Sequence, residues 1–197
     1  MSDVRTAALR LNCRPSKAGN VLMFPYTLEN QGSDEVYAMH ALPAADPASG
    51  AARANETAAI VIASDNGDAI IGKFAAPLPT DRRIAVAVLP LARRVPAGAS
   101  LEGRIEIALP LAETSPYFPD LLLRGYEIVE IKGVQLTIGY WLAGRDGLAA
   151  IPAEYAPDLF VVVTRNTMRN ALRVSRRYPT TGLQLFRRTD AFPRALS

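Results

Sequence analysis

Along most of this chain apolar and polar residues alternate with a period of two, the spacing of strands with one dry face. In Arg5–Arg14, Ala7, Leu9, Leu11 and Cys13 take one side, and Thr6, Arg10, Asn12 and Arg14 the other. Val21–Glu29 repeats the pattern with Leu22, Phe24, Tyr26 and Leu28 inward. Pro25 lies on its opposite phase, and because proline cannot donate to a ladder the strand is expected at an edge or a bulge. Asn30–Asp34 is a turn cluster, and Val36–Leu42 reads as a third strand, so the first three strands predict an antiparallel meander.

Residues 43–56, rich in Pro, Ala, Gly and Ser, read as a long loop. Asp65-Asn66-Gly67-Asp68 between Ala58–Ser64 and Ala69–Phe74 predicts a hairpin with a type I′ turn, which Asn-Gly favours. Arg83–Leu89 reads as a strand closed by Pro90, and Pro96-Ala97-Gly98 as a turn. Leu101–Leu109 alternates cleanly up to Pro110. Residues 110–120 read as a proline-rich crossing with room for a short helical turn. In Tyr126–Leu142 the buried parity slips at Lys132-Gly133: Val129 and Ile131 precede it, and Val134, Leu136, Ile138, Tyr140 and Leu142 follow on the other phase. A bulge or tight turn there would restore one buried face. After an apolar run at Asp158–Arg165, residues 166–178 fit two patterns. One is a short helix; the favoured other is a strand that turns at Pro179–Gly182 and pairs Leu172 and Val174 with Leu183 and Leu185.

Nine to eleven short strands with regular turn signals, and no amphipathic helix of ~12 residues, predict an all-β fold. The expected architecture is an antiparallel β-sandwich with Greek-key or meander connections. The expected division is a sandwich core at 1–157 and a basic extension at 158–197, packed on the core or on a neighbouring subunit. Phe24-Pro25-Tyr26-Thr27-Leu28-Glu29-Asn30-Gln31-Gly32-Ser33, Val36-Tyr37, and Val95-Pro96-Ala97-Gly98 before Leu101–Pro110 resemble the strands of bacterial immunoglobulin-like sandwiches. The resemblance implies an architecture and carries no functional residues; the Cys…Trp…Cys spacing of true immunoglobulin domains is absent.

The 197 residues suit one large domain that needs no staples, and the single cysteine, Cys13, cannot form a disulfide within the chain. Met1–Arg5 lacks the apolar stretch of a secretory signal, and runs such as Leu159–Val163 fall far short of the ~20 residues of a membrane-spanning helix. A cytoplasmic location without membrane insertion is therefore expected, and the sequon Asn55-Glu56-Thr57 reads as chance. Charge is uneven: residues 158–197 hold eight arginines against two aspartates, a net +6, while the whole chain carries +3. Arginine is also the chain's general preference, since Lys17, Lys73 and Lys132 are its only lysines.

Familiar catalytic machinery is missing. One histidine, His40, and one cysteine cannot build a zinc site, so no metal and no cofactor are expected. His40 shares parity with Val36, Ala38 and Leu42 and reads as a packed core histidine. No Gly-x-Ser-x-Gly elbow, Walker loop, dinucleotide fingerprint or EF-hand loop occurs. Acidic pairs such as Glu127/Glu130 read as a solvated strand face. The one feature above background is the cluster Arg165, Arg169, Arg173, Arg176, Arg177, Arg187 and Arg188, a candidate surface for an anionic partner, with Tyr178 and Phe186 near enough to stack on bases. Three functions follow. The foremost is a non-enzymatic interaction or assembly module, using an edge strand such as Val21–Glu29 or the tail 190–197 on a protein partner or a second copy. The others are polyanion or nucleic-acid binding through the arginines, and a carboxylate enzyme acting on a sugar-like substrate.

Overall fold

In the computed structural model, which describes residues 9–79, 83–118 and 125–189, the alternation resolves into fourteen strands, with no helix among the described residues. They are β1 (Leu9–Cys13), β2 (Ser16–Ala18), β3 (Val21–Asn30), β4 (Val36–Ala45), β5 (Ala52–Asn55), β6 (Ile60–Ala63), β7 (Asp68–Lys73), β8 (Leu91–Val95), β9 (Ser100–Ala108), β10 (Leu111–Ala112), β11 (Tyr126–Leu142), β12 (Ala149–Ala153), β13 (Ala156–Val163) and β14 (Leu172–Arg188). β1, β2, β3 and β9 form a four-stranded sheet. The remaining ten strands form a larger one in the order β10-β14-β11-β4-β8-β13-β12, with β7 also on β11, β6 on β7 and β5 on β4. Pairing is antiparallel except for β7 with β11 and β10 with β14.

The two sheets stack as a β-sandwich. Leu9, Leu11, Phe24, Tyr26, Leu28, Leu101 and Ile105 of the small sheet meet Val36, Ala38, Ile71, Val95, Val134, Leu136, Ile138 and Leu185 of the large one in the main core. The opposite face of the large sheet is also covered. Met39, Ile60, Ile62, Ile70, Trp141 and Val162 lie under Phe74, Ala75, Ala76, Ile84, Val88 and Leu89 of the segment between β7 and β8. A strand dry on both faces loses its alternation, and β6 and β7 are buried at every position.

Several local expectations change on assembly. The first three strands do not form one meander: β1 pairs β3, but the chain then crosses and β4 enters the other sheet. β3 is not at an edge; it lies between β9 on one side and β1 with β2 on the other. Pro25 is tolerated because β1 pairs only residues 26–30 and β2 only residues 21–23, so the proline faces the gap between them. Residues 43–56 are not a long loop but the end of β4, a short turn and β5. Arg83–Leu89 is not a strand: its apolar residues cover the large sheet without joining it. The β6–β7 hairpin is present, but its turn is not type I′. Gly67 N–H donates to Ser64 O at 3.1 Å, and the positive φ of 88° falls on Gly67 alone, as in a three-residue hairpin loop.

Residues 172–188 are neither helix nor hairpin but one seventeen-residue strand antiparallel to β11. The register shift falls between Ile131 and Gly133, where the parity slip of β11 was read. Opposite it, Thr180, Thr181 and Gly182 face Lys132 alone, because Pro179 pairs Gly133 and Leu183 pairs Ile131. The Pro-Thr-Thr-Gly turn signal thus makes a wide bulge. The bulge keeps Ile131 and Val134 on one buried face. Of the basic segment 158–197, residues up to 189 belong to the large sheet and its connections, and the tail 190–197 lies outside the described residues. Among the described residues no helix is long and apolar enough to cross a membrane.

Candidate functional site

The seven arginines singled out by sequence do not gather on one surface. β14 alternates, so Arg173 and Arg177 leave one face and Arg176 the other. Arg173 donates to Ala75 O at 3.1 Å and lies over the Phe74 ring; burial lowers its pKa. Arg177 grips the buried Asp68 carboxylate with both arms of its fork, Nε to Oδ2 at 2.6 Å and Nη2 to Oδ1 at 2.9 Å, which raises its pKa. Arg176 lies over the Tyr178 ring, and Tyr178 faces inward to donate to Cys13 O at 3.1 Å. Arg187 binds Glu127 at 2.6 Å. Arg188 is buried against Phe118, and its backbone N–H donates to the buried Glu113 at 2.7 Å. Glu130 accepts from Gly182 N–H at 3.1 Å, so the Glu127/Glu130 pair serves the β11–β14 ladder.

Arg165 and Arg169 are different: both are exposed, and neither has a carboxylate partner among the described residues. They sit on the turn that joins β13 to β14. Asn170 N–H donates to Asn166 O at 2.9 Å, closing a single turn over 166–170 that contains Arg169 and follows directly on Arg165. Thr167 Oγ1 accepts from Thr164 N–H at 2.9 Å, Asn170 Nδ2 donates to Thr164 Oγ1 at 3.3 Å, and Trp141 Nε1 donates to Thr167 O at 3.0 Å. Met168 and Ala171 pack beneath. The turn is fixed before any ligand arrives.

Beside it runs a groove of about 620 Å³, within the range of pockets that hold drug-sized ligands. Its walls are Val86–Leu91 on one side, Val161–Val163 on another, with Pro43 and Tyr155, and among the described residues its only charged lining residues are Arg165 and Arg169. The groove opens onto an uncovered part of the large sheet. Leu91 and Val95 share a face of β8, and Val95 belongs to the main core, so Val161 and Val163 of the neighbouring β13, beyond the buried Leu159, lie on the face that the small sheet covers farther along. The four-stranded sheet is too narrow to reach them. Ile151, which pairs Val161, is 54% exposed, Val161 43%, Val163 47%, Tyr155 41% and Val86 79%. β12 ends the sheet and carries Pro152, a residue typical of protected edges.

Where the covered and uncovered parts meet lies a polar cluster the sequence did not reveal. Lys73 is wholly buried between the sheets and donates to Tyr26 Oη at 3.2 Å, Arg104 O at 3.3 Å and Glu56 O. The Glu56 carboxylate takes Arg93 Nη2 at 3.2 Å and His40 Nε2 at 3.1 Å. Burial pulls Lys73 down to about 7 against the attraction of Glu56. Burial, then the charges of Lys73 and Arg93, lowers His40 to about 4, and burial raises Tyr26. His40 is the packed, one-bond histidine expected, on the bulge between Met39 and Ala41. A lysine that titrates near neutrality suits nucleophilic chemistry only if a substrate can reach it, and Lys73 has no exposed surface. The cluster ties the two sheets to the β5–β6 connection that carries Glu56. Among the described residues no three His, Cys, Asp or Glu side chains converge as a metal site would require. No protein-family model, curated protein or solved structure matches this chain.

Proposed function

We propose that this chain is a binding module without catalytic chemistry that docks another polypeptide on the β12–β13 wing and its groove. The observation that carries the reading is the overhang of the large sheet, which leaves Ile151, Val161 and Val163 in water beside Val86 and Tyr155. Burying such side chains is worth roughly 25 cal/mol per Å². Exposed apolar side chains clustered on a strand face beside a groove are a common feature of protein interaction sites and ligand-binding grooves. The wing differs from the surfaces expected from sequence: β3 is interior to its sheet, and five of the seven arginines are engaged within the fold.

The test places a photo-crosslinking benzoylphenylalanine at Val161 and, as control, at the exposed Glu102 of the small sheet. Discrete products from position 161 that vanish with Val163→Glu are expected, and light scattering tells a second copy from another protein. The same products from both positions, or products indifferent to Val163→Glu, would refute the reading.

A further inference from the structure

We infer that the segment docked in the groove is acidic as well as apolar, an extended peptide whose hydrophobic side chains enter the groove while its carboxylates meet Arg165 and Arg169. The inference rests on the docking reading above and adds the partner's chemistry. Two guanidinium groups that line one groove four residues apart favour an anion between them; the neighbouring Asp146 borders smaller clefts with each of them but forms an ion pair with neither. The turn holds them in that arrangement through the Asn166–Asn170 backbone bond and the Trp141–Thr167 anchor. Both line the groove, and no carboxylate lines it among the described residues. Guanidinium forks suit carboxylates because they can donate two parallel hydrogen bonds to one group. Their exposure lets them exchange water for such a partner without unfolding anything.

The extent of the apolar surface sets the size of the occupant. It continues from the groove across Val161 and Val163 to Ile151, and Val163 and Ile151 lie on adjacent strands. A single alkyl chain occupies only part of the groove and leaves that wing in water. An extended peptide covers both, with side chains alternating between the apolar floor and the charged rim. Arginine and tyrosine, both at this groove, are among the residues enriched in binding hot spots.

Fluorescence anisotropy with a labelled peptide alternating leucine and glutamate tests this on the full chain. Saturable binding that weakens with added salt is expected, with no binding of the matching leucine–lysine peptide. The double reversal R165E/R169E, at exposed positions that leave the fold intact, should weaken the acidic peptide by at least about tenfold and allow the lysine peptide to bind. Equal binding of the two peptides, or an affinity unmoved by the reversal, overturns the inference. So does saturation by dodecanoate alone with no peptide binding, which assigns the groove to a small amphipathic anion. If position 161 still crosslinks a partner while these peptides fail, the docking reading stands and only its acidic chemistry falls.

Discussion

Replacing Lys73 by methionine keeps the length of the side chain and removes a charge from between the two sheets. Burial brings this lysine from 10.5 to about 7. At ~1.4 kcal/mol per pKa unit, holding the ammonium in the folded state costs on the order of 5 kcal/mol relative to the neutral amine. Below about pH 7 both folded and unfolded chains carry the proton, and that cost is present in full. Between about 7 and 10.5 the unfolded chain binds the proton and the folded chain does not, so the unfolding free energy rises with pH. The slope from this group reaches ~1.4 kcal/mol per pH unit. Lys73→Met has no such slope. It also leaves Tyr26 Oη and the carbonyls of Glu56 and Arg104 without this donor, at ~1 kcal/mol each, but that loss does not vary over the window. Urea unfolding of both proteins, followed by circular dichroism from about pH 6 to about pH 10, separates the two effects. The wild type should gain on the variant steadily as pH rises above neutrality. Parallel stability curves would refute the reasoning, because they would mean that the three oxygens keep Lys73 charged throughout.

His40 has the same sign at lower pH: its folded value of about 4 lies below the ordinary 6.5, so stability should fall as pH drops through that interval. His40→Gln, which keeps a donor for Glu56, should flatten the acid limb of the stability curve measured by urea unfolding. Arg177→Met strands the buried carboxylate of Asp68 and should cost about 3 kcal/mol in the same measurement; a change within about 0.5 kcal/mol would mean that the pair contributes nothing. In Gly72→Ala the new Cβ would lie 1.7 Å from Thr137 O on β11, so loss of soluble protein or a sharply lowered thermal midpoint is expected. A midpoint near wild type would contradict the β7–β11 register.

The class of the fold was readable because alternation is local. β3, β9 and β11 each bury or half-bury the residues their parity selects, and the slip at Lys132-Gly133 marked a true bulge. Partner choice is not local. Pro25 suggested an edge because nothing near it tells of the gap between β1 and β2. Pro179–Gly182 has hairpin chemistry, yet the long partner β11 made it a bulge. Leu91–Val95, with two arginines in five residues, looks less like a strand than Arg83–Leu89, but only β8 has neighbours on both sides. Of the site, the sequence marked Arg165 and Arg169 along with five arginines that the fold uses internally. Lys73 and Glu56 were invisible for a physical reason: lysine and glutamate are taken as surface residues, and only the meeting of two sheets and a loop buries one of them. The groove combines three distant segments and left no local signal beyond the valines of β13.

The β11–β14 pair is two seventeen-residue strands side by side, about 55 Å of ladder at ~3.3 Å per residue. β11 is also the strand on which β7 and β4 pair. As the chain emerges from the ribosome, β11 therefore appears with one flank open and waits some thirty residues for the strand that closes it. During that interval a long apolar edge is exposed to other nascent chains, and closure has to bring together segments far apart in sequence, which makes it slow. Assistance from a chaperone during synthesis would act at this stage, and a chain cut short before Leu172 would carry the open edge permanently.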